Sequence, residues 1–331
     1  MDKLLTIGIT SYKRINELER CIRSVRTNYY DDIEVIVSED CSPLSKEIGE
    51  KVLALSKEVS FKLTFEPNEH NLGYDRNLGA IIQKSHGKYV FLISDDDAIH
   101  DGFLDILIPF LKENSNDYGV MYSPFVYTSN NRRDRDYRTD MELKQGEETC
   151  KQHVQDSILF SGLVFKREYV KDLDAAAFLN KNYFQVYMFL KMLYHHGGYY
   201  FKHPSILCVG DGENAYGLSE SSGGNAILAN RKSVISNLEF NRTLFQVIRK
   251  FDEEEGTAVF KSFEKIYSIH SFSGLSIARR SGIKYYKEYW EKLKSLNINF
   301  SPIVKLYYYI LFVLGPVFSE KQILWFKKFF R

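Results

Sequence analysis

Three short apolar runs near the amino terminus each end in a polar cluster, and this repetition constrains the fold more than any other feature. Leu4 to Thr10 leads into Thr10-Ser11-Tyr12, and Ile33 to Val37 into Ser38-Glu39-Asp40. Tyr89 to Ile93 leads through Ser94 into three consecutive aspartates, Asp95, Asp96 and Asp97. Each run has strand length, and Ile33–Val37 (IEVIV) reads as a strand covered on both faces. Between the runs lie segments of helical spacing: Ile15, Leu18, Ile22 and Val25, then the stretch after Ser42-Pro43, then Asp75 to Ser85. Ser42 predicts an N-cap there and Pro43 a first helical turn. A further strand at Lys62–Phe65 and a helix over Gly102–Lys112 complete the alternation. The pattern predicts an α/β fold, a mostly parallel sheet with helices on both faces. Such sheets bind ligands at the carboxyl ends of their strands. Three clusters far apart in sequence are therefore predicted to meet at one edge.

Beyond residue 115 the pattern changes. Gly119–Val126 reads as a strand, Asn130–Asp140 (NNRRDRDYRTD) as a solvated charged loop, and Ile158–Phe165 as a buried strand or strand-turn. An aromatic helix over Tyr183–Tyr194 ends at Gly197-Gly198, and two short strands follow, Tyr199–Phe201 and Ile206–Val209. Leu218–Asn225 is a flexible loop by composition, and the remainder reads as helical. The division expected is a nucleotide-binding and catalytic domain over 1–224, with halves at about 1–115 and 116–224, then a helical region over 225–331.

Composition excludes some classes. A net charge of +1 gives no general attraction to nucleic acid. The four cysteines, Cys21, Cys41, Cys150 and Cys208, have no metal-type spacing and read as reduced thiols of a cytosolic protein. The N-terminus has no apolar run of signal-peptide type, and no membrane span is expected from the apolar runs. The tail is distinctive: Ile303–Phe318 is apolar, tyrosine-rich and broken by Gly315-Pro316. Lys321, Lys327, Lys328 and Arg331 then lie among Trp325, Phe326, Phe329 and Phe330. The reading preferred here is a segment lying in a membrane interface, with a terminal helix packed on the body as the alternative.

Three adjacent carboxylates at the mouth of a buried strand repel one another unless positive charge lies between them. Mg²⁺ or Mn²⁺, which takes oxygen ligands, meets that need. A helix dipole would account for one aspartate but poorly for three. In NEHNLGYDRN, Asn71-Leu72-Gly73 can form a tight turn, and Arg76 then falls in a first helical turn. Arginine is unfavourable for the helix there, which marks it for a ligand.

In order along the chain, TSYKR (10–14), SEDCS (38–42), NLGYDRN (71–77) and SDDDA (94–98) resemble glycosyltransferase family 2 with the GT-A fold. The likeness covers residues 3 to about 115. SGLVFKRE (161–168), NYFQVYMF (182–189) and SILCVGDGENA (205–215) are similar to the abequosyltransferase-like branch of bacterial O-antigen enzymes. The resemblance implies a nucleotide-diphosphate sugar donor, UDP favoured, with a divalent cation, Mn²⁺ or Mg²⁺. It implies that the backbone from Thr10 to Tyr12 frames the base, that Asp40 contacts it, and that Arg76 approaches base or phosphates. Asp95 would hold the ribose and Asp96 the metal, with Asp97 able to do either and His203 a further candidate ligand. Arg14, Asn71 and Gly73 belong to the same implied donor set. Relatives often carry an acidic pair after the SGLVF-like segment, where this chain has Tyr183-Phe184-Gln185-Val186. The general base must then come from elsewhere. Asp211 ranks first, before Asp156 and Glu213.

GxGxxG and a P-loop are both missing, against a dinucleotide-binding dehydrogenase and a P-loop NTPase. QxxRW is missing too, against a processive synthase. A catalytically degenerate sugar-nucleotide-binding protein and a sugar nucleotidyltransferase stay as alternatives. The expectation is a cytoplasmic transferase, at the inner face of the plasma membrane through 303–331. Its acceptor would be a glycan or lipid-linked oligosaccharide of O-antigen or capsule synthesis.

Overall fold

The computed structural model describes residues 3–113, 117–178, 182–210, 231–296 and 301–329. The amino-terminal alternation is β1 (Leu5–Ser11), α1 (Ile15–Arg23), β2 (Ile33–Glu39), α2 (Ser45–Leu55), β3 (Lys62–Phe65), α3 (Tyr74–Lys84) and β4 (Tyr89–Ser94). There follow β5 (Ala98–Ile99), α4 (Phe103–Glu113), β6 (Val120–Tyr122), β7 (Phe125–Tyr127), β8 (Arg133–Asp134), β9 (Met141–Leu143) and α5 (Glu147–His153). Then come β10 (Leu163–Lys166), α6 (Arg167–Val170), α7 (Phe184–His196), β11 (Gly198–Tyr200) and β12 (Ile206–Cys208). Four helices follow: α8 (Arg231–Glu255), α9 (Val259–Arg280), α10 (Ile283–Lys294) and α11 (Pro302–Phe329).

The main sheet has the order β3-β2-β1-β4-β10-β6-β11-β9, and a smaller one has β5-β12-β7-β8. β3, β2, β1 and β4 are parallel, while β10 runs antiparallel to both β4 and β6. The carboxyl ends of β1, β2, β4, β6 and β11 therefore share one edge. Alternate residues of each central strand face opposite layers, as the pleat requires. Ile7, Ile9, Val35, Val37, Phe91 and Ile93 pack with α1, α2 and α4. Val90 and Leu92 face the other way, toward α3, α7 and the carboxy-terminal helices. That second core is continuous from Leu78 and Ile81 of α3 through Phe245 of α8 to Leu311 of α11.

β2 is buried along its whole length, including Glu34. Thr6 Oγ1 at 2.7 Å and the His86 amide at 2.8 Å both donate to Glu34 Oε1, while Lys62 Nζ lies 3.3 Å from Oε2. A buried carboxylate is tolerable only with such partners.

Several expectations are corrected. Ser42 and Pro43 precede α2 by a turn, because the Ser42 amide is drawn to Glu39 Oε1 at 2.9 Å, and Leu44 occupies the cap position. The 119–126 strand is two strands, interrupted at Ser123-Pro124, where proline has no amide to donate. Of the 158–165 segment only residues 163–165 are strand, which runs on to Lys166. The charged loop at 130–140 is not wholly solvated, since Arg135 is buried under Tyr122 and Phe125, with its guanidinium 6.0 and 5.1 Å from their ring centres. Pro302–Ser319 of α11 is long and apolar enough to cross a membrane by length and composition, with a mean hydropathy of 1.5, against the expectation of no such stretch. The helix breaks at Gly315 (φ 74°), where the sequence places Gly-Pro.

At the entrance to β4 the chain crosses β1 so closely that a Cβ on Gly87 would lie 2.5 Å from the Thr6 amide nitrogen and 2.8 Å from the Leu5 carbonyl carbon. Backbone cannot move aside as a side-chain tip can. Gly87→Ala is expected to destabilise the protein by roughly 1–3 kcal/mol in urea unfolding. An unchanged midpoint would contradict the close approach.

Candidate active site at the carboxyl edge of the sheet

The loop after β1 turns at Lys13, whose φ of 66° is uncommon for a residue with a side chain. The turn sends Arg14 back over the aspartates at the end of β4. Arg14 Nη1 lies 2.8 Å from Asp95 Oδ1 and 3.2 Å from Asp96 Oδ2. The Tyr12 amide donates to Asp95 Oδ2 at 3.1 Å, and the Asp95 amide to the Thr10 carbonyl at 3.1 Å. Arg20 Nη2 holds the Asp96 carbonyl at 2.8 Å, and the Ser94 hydroxyl donates to Asp96 Oδ1. The positive charge lying between the first two aspartates is thus a guanidinium of the chain itself.

The three aspartates have different surroundings. Asp95 is buried, and burial pushes its carboxyl up to about 6 although Arg14 pulls the other way. Asp97 is buried against Ser161 and Cys208, and burial, with the nearby Asp96, pushes it up to about 7. Only Asp96 has a side chain open to solvent, at 21%. Arg14 loses by burial but gains more from Asp95 and Asp96, and its net shift is upward. Raised carboxyls of this kind favour the protonated fold. Their contribution to stability is full below the ordinary aspartate range and is lost as pH rises through about 6 and 7.

Asp40 is buried at the end of β2 and reaches across to the NLG turn. Its Oδ1 accepts from the Leu72 amide at 2.8 Å and from Asn68 Nδ2 at 3.0 Å, and its Oδ2 from the Gly73 amide at 2.9 Å. Gly73 has a φ of 76°, which a side chain would strain, and its amide also donates to Asn71 Oδ1 at 3.0 Å. With its carboxylate engaged in this way, Asp40 shapes the turn. Arg76 leans back on the same turn, its Nε donating to the Leu72 carbonyl at 3.0 Å, beside a groove of about 280 Å³ that also includes Gly79 and Ala175. Below the turn, Lys84 Nζ ties Asn68 Oδ1 at 2.7 Å and Ser38 Oγ at 3.2 Å.

His203 stands apart from the aspartates' hydrogen bonds. It packs on His100 and Phe103, and its Nδ1 is 3.0 Å from the Pro204 carbonyl. Among the described residues, no three histidine, cysteine or acidic side chains converge as a metal group. The donor set therefore fits a cation held through one protein carboxylate, that of Asp96, with other oxygens from the substrate. It does not fit an Asp96–Asp97–His203 cage. Asp211 and Glu213 lie outside the described residues. Asp156 is described and nearly buried, in contact with His153, Tyr122 and Tyr137.

Sequence reasoning missed two supports. Ser161 accepts from the Ser94 amide at 3.1 Å and reaches Asp97, so the turn into β10 props the aspartate loop. Asp75, in the first turn of α3, is buried and accepts from the Asn182 amide at 2.8 Å and the Phe184 amide at 2.9 Å. It caps α7 from another helix. An aspartate among NLGYDRN was legible as polar, but its partner more than a hundred residues away was not.

Replacing Asp40 by alanine leaves the Leu72 amide without an acceptor and the Gly73 amide with Asn71 Oδ1 alone. The expected cost is roughly 2–4 kcal/mol in chemical unfolding. A loss below about 0.5 kcal/mol would mean that the turn holds itself.

Comparison with known proteins agrees with this geometry. The family model for glycosyl transferase family 2 matches residues 6–173. Abequosyltransferase RfbV of Salmonella typhimurium is 24% identical over 236 residues, which is 64% of this chain and 68% of that protein. Two solved structures share the fold. Staphylococcus aureus TarS 1–349 in complex with UDP-GlcNAc has a TM-score of 0.52 at 11% identity, covering 88% of this chain and 89% of that one. The mannosyltransferase PcManGT of Pyrobaculum calidifontis, in complex with GDP-Man and Mn²⁺, has 0.51 at 12% identity, covering 94% and 86%. With half of its length matched by the family model and a GT-A sheet carrying the aspartates at its ligand-binding edge, the chain belongs to glycosyltransferase family 2.

Proposed function

We propose that this glycosyltransferase moves a sugar from a nucleotide-diphosphate donor, UDP-sugars first, to a hydroxyl of a glycan or lipid-linked glycan in bacterial surface polysaccharide synthesis, with inversion at the anomeric carbon. The observation that carries the reading is the meeting of the Tyr12 amide, Arg14, Asp95 and Asp96 at the carboxyl edge of β1 and β4. In this reading the backbone from Thr10 to Tyr12 frames the base, beside the turn that Asp40 holds. Asp95 receives the ribose hydroxyls, its orientation set by Tyr12 and Arg14. Arg14 faces the diphosphate's negative charge and Asp96 holds Mn²⁺ or Mg²⁺. When bound, the cation supplies charge stabilisation for the leaving diphosphate. The UDP-GlcNAc complex of TarS is the reason for testing UDP first, and the Mn²⁺ complex of the mannosyltransferase is the reason for testing manganese. Similarity to a bacterial abequosyltransferase supports sugar transfer, and O-antigen or capsule synthesis is the setting adopted in this reading. The division of labour adopted places donor binding in 1–115, acceptor binding in 116–224, and support in 225–331.

The same reading places the enzyme at the cytoplasmic face of the membrane through 303–331. Leu306, Tyr309, Val313 and Val317 of α11 are all more than half exposed. Leu306, Tyr309 and Val313 recur at helical spacing on one face, Val317 follows the break at Gly315, and Val304 and Leu311 are buried. The basic residues from Lys321 to Arg331 add attraction to anionic lipid. Because the inner face of α11 belongs to the core, substitution of the outer face is a better test than truncation. Val313→Glu with Val317→Glu is expected to abolish co-sedimentation with phosphatidylglycerol vesicles and leave the melting point within a few degrees. Undiminished sedimentation would remove the membrane contact from the proposal.

Function is tested by thermal shift against UDP, CDP, GDP and dTDP, each with and without Mn²⁺. One nucleotide is expected to raise the melting point only with the metal, because binding to the native state stabilises it. Asp96→Ala should lose the metal-dependent part. A metal-dependent shift that survives this substitution would refute the role given to Asp96.

A further inference from the structure

A second cluster of titratable side chains lies on the same sheet edge, away from the aspartates. Tyr122 ends β6, Tyr200 ends β11, and His153 closes α5. Asp156 is in the short helical turn after α5. Three donors converge on one oxygen of Asp156. Tyr122 Oη and Tyr137 Oη each donate to Oδ2 at 2.8 Å, and His153 Nδ1 approaches it at 3.0 Å. Tyr200 fixes the loop that carries Tyr137: its hydroxyl donates to the Arg135 carbonyl at 2.6 Å and accepts from the Tyr137 amide at 3.0 Å.

The other oxygen is differently placed. Asp156 Oδ1 has no hydrogen-bond partner among the described residues, and the Asp156 side chain is 11% exposed. A carboxylate with one oxygen clamped by three partners and the other without one among the described residues is oriented to accept one more proton at a fixed point.

Topology places that point relative to the donor site. β6 is two strands from β4 in the sheet order, a separation of about 10 Å. A chain of contacts spans the interval. Arg135 Nη1 donates to the Ser161 carbonyl at 3.4 Å, and Ser161 reaches both the Ser94 amide and Asp97. Arg135 is also the cation whose charge faces Asp156. The two clusters thus sit on one sheet edge and are joined through Arg135 and Ser161.

We infer that Asp156 is the general base of transfer, and that Tyr122, Tyr137 and His153 are the residues that position it. The inference rests on the transferase reading above. In the step, the acceptor oxygen bonds to the anomeric carbon and its proton passes to Asp156 Oδ1. The bond from the anomeric carbon to the phosphate oxygen breaks, and its electron pair leaves with the nucleoside diphosphate. Gln185 stands where relatives carry acidic residues and cannot take this proton. It is occupied in part by the Ile158 carbonyl, to which its Nε2 donates at 2.9 Å. The groups facing Asp156 are Tyr122 from β6, His153 from α5, Tyr137 and Arg135 from the loop between β8 and β9, and Tyr200 from β11.

The test uses the full-length protein and the slow hydrolysis of sugar nucleotides, in which water is the acceptor. Wild type is assayed with UDP-, GDP-, CDP- and dTDP-sugars and Mn²⁺ for release of nucleoside diphosphate. On the sugar nucleotide that turns over, Asp156→Asn is expected to lose about 100-fold or more in kcat while the thermal shift by the matching nucleoside diphosphate is retained. Azide needs no deprotonation, so glycosyl azide formation by Asp156→Ala should exceed its hydrolysis. Tyr137→Phe should move the acidic limb of the kcat–pH profile and leave KM within about two-fold, a result that a purely structural tyrosine would not give. Wild-type turnover with Asp156→Asn within about three-fold of it overturns this assignment alone. Release of no nucleoside diphosphate from any of the sugars by wild type overturns the transferase reading and the assignment with it.

Discussion

The ion pair between Arg14 and the first two aspartates is the constraint around which the site is arranged. A parallel sheet ends its strands at a common edge, and here that edge receives Asp95, Asp96 and Asp97 from one strand. Burial alone would drive these groups toward protonation, and for Asp95 and Asp97 it partly does. Arg14 keeps the cluster tolerable by approaching both Asp95 and Asp96 through one nitrogen. To reach them the chain accepts a left-handed residue at Lys13. Local backbone strain, the pair, and the exposure of Asp96 are thus one arrangement. A ligand bringing cation and diphosphate together would meet both partners of the pair.

Much of the amino-terminal half was readable because local and global rules agree there. β3 falls where the apolar pattern puts it, and β1, β2, β4, α3 and α4 differ at their ends by one or two residues. The polar clusters meet at the edge that strand direction dictates. Roles within those clusters were less readable. The resemblance implies a base contact for Asp40, but it does not tell that the same carboxylate holds a turn some thirty residues on. The aspartate triplet reads as a metal cage, yet one member faces a serine and a cysteine inside the protein. Adjacent residues at a strand end point in different directions, and spacing does not say which of them looks outward.

The second half was harder for a physical reason. Its strands are mostly two to four residues long, too short for an alternation pattern, and several are placed by tertiary contacts alone. Arg135 sits in a run of charges that composition assigns to solvent, but two aromatic rings cover its guanidinium. Asp156 was visible only as an acidic residue near a strand. Its significance lies in three partners drawn from three separate elements, which no local window contains.

The Asp75 cap has an evolutionary consequence. It fastens the helix that follows the nucleotide-side turn to the first amides of α7, across more than a hundred residues of chain. Exchange of carboxy-terminal halves between relatives would leave the amino-terminal half undisturbed only were the halves independent. Here such a recombinant inherits one side of a two-sided fastening. A viable chimera must carry an amide pair that fits the incoming aspartate.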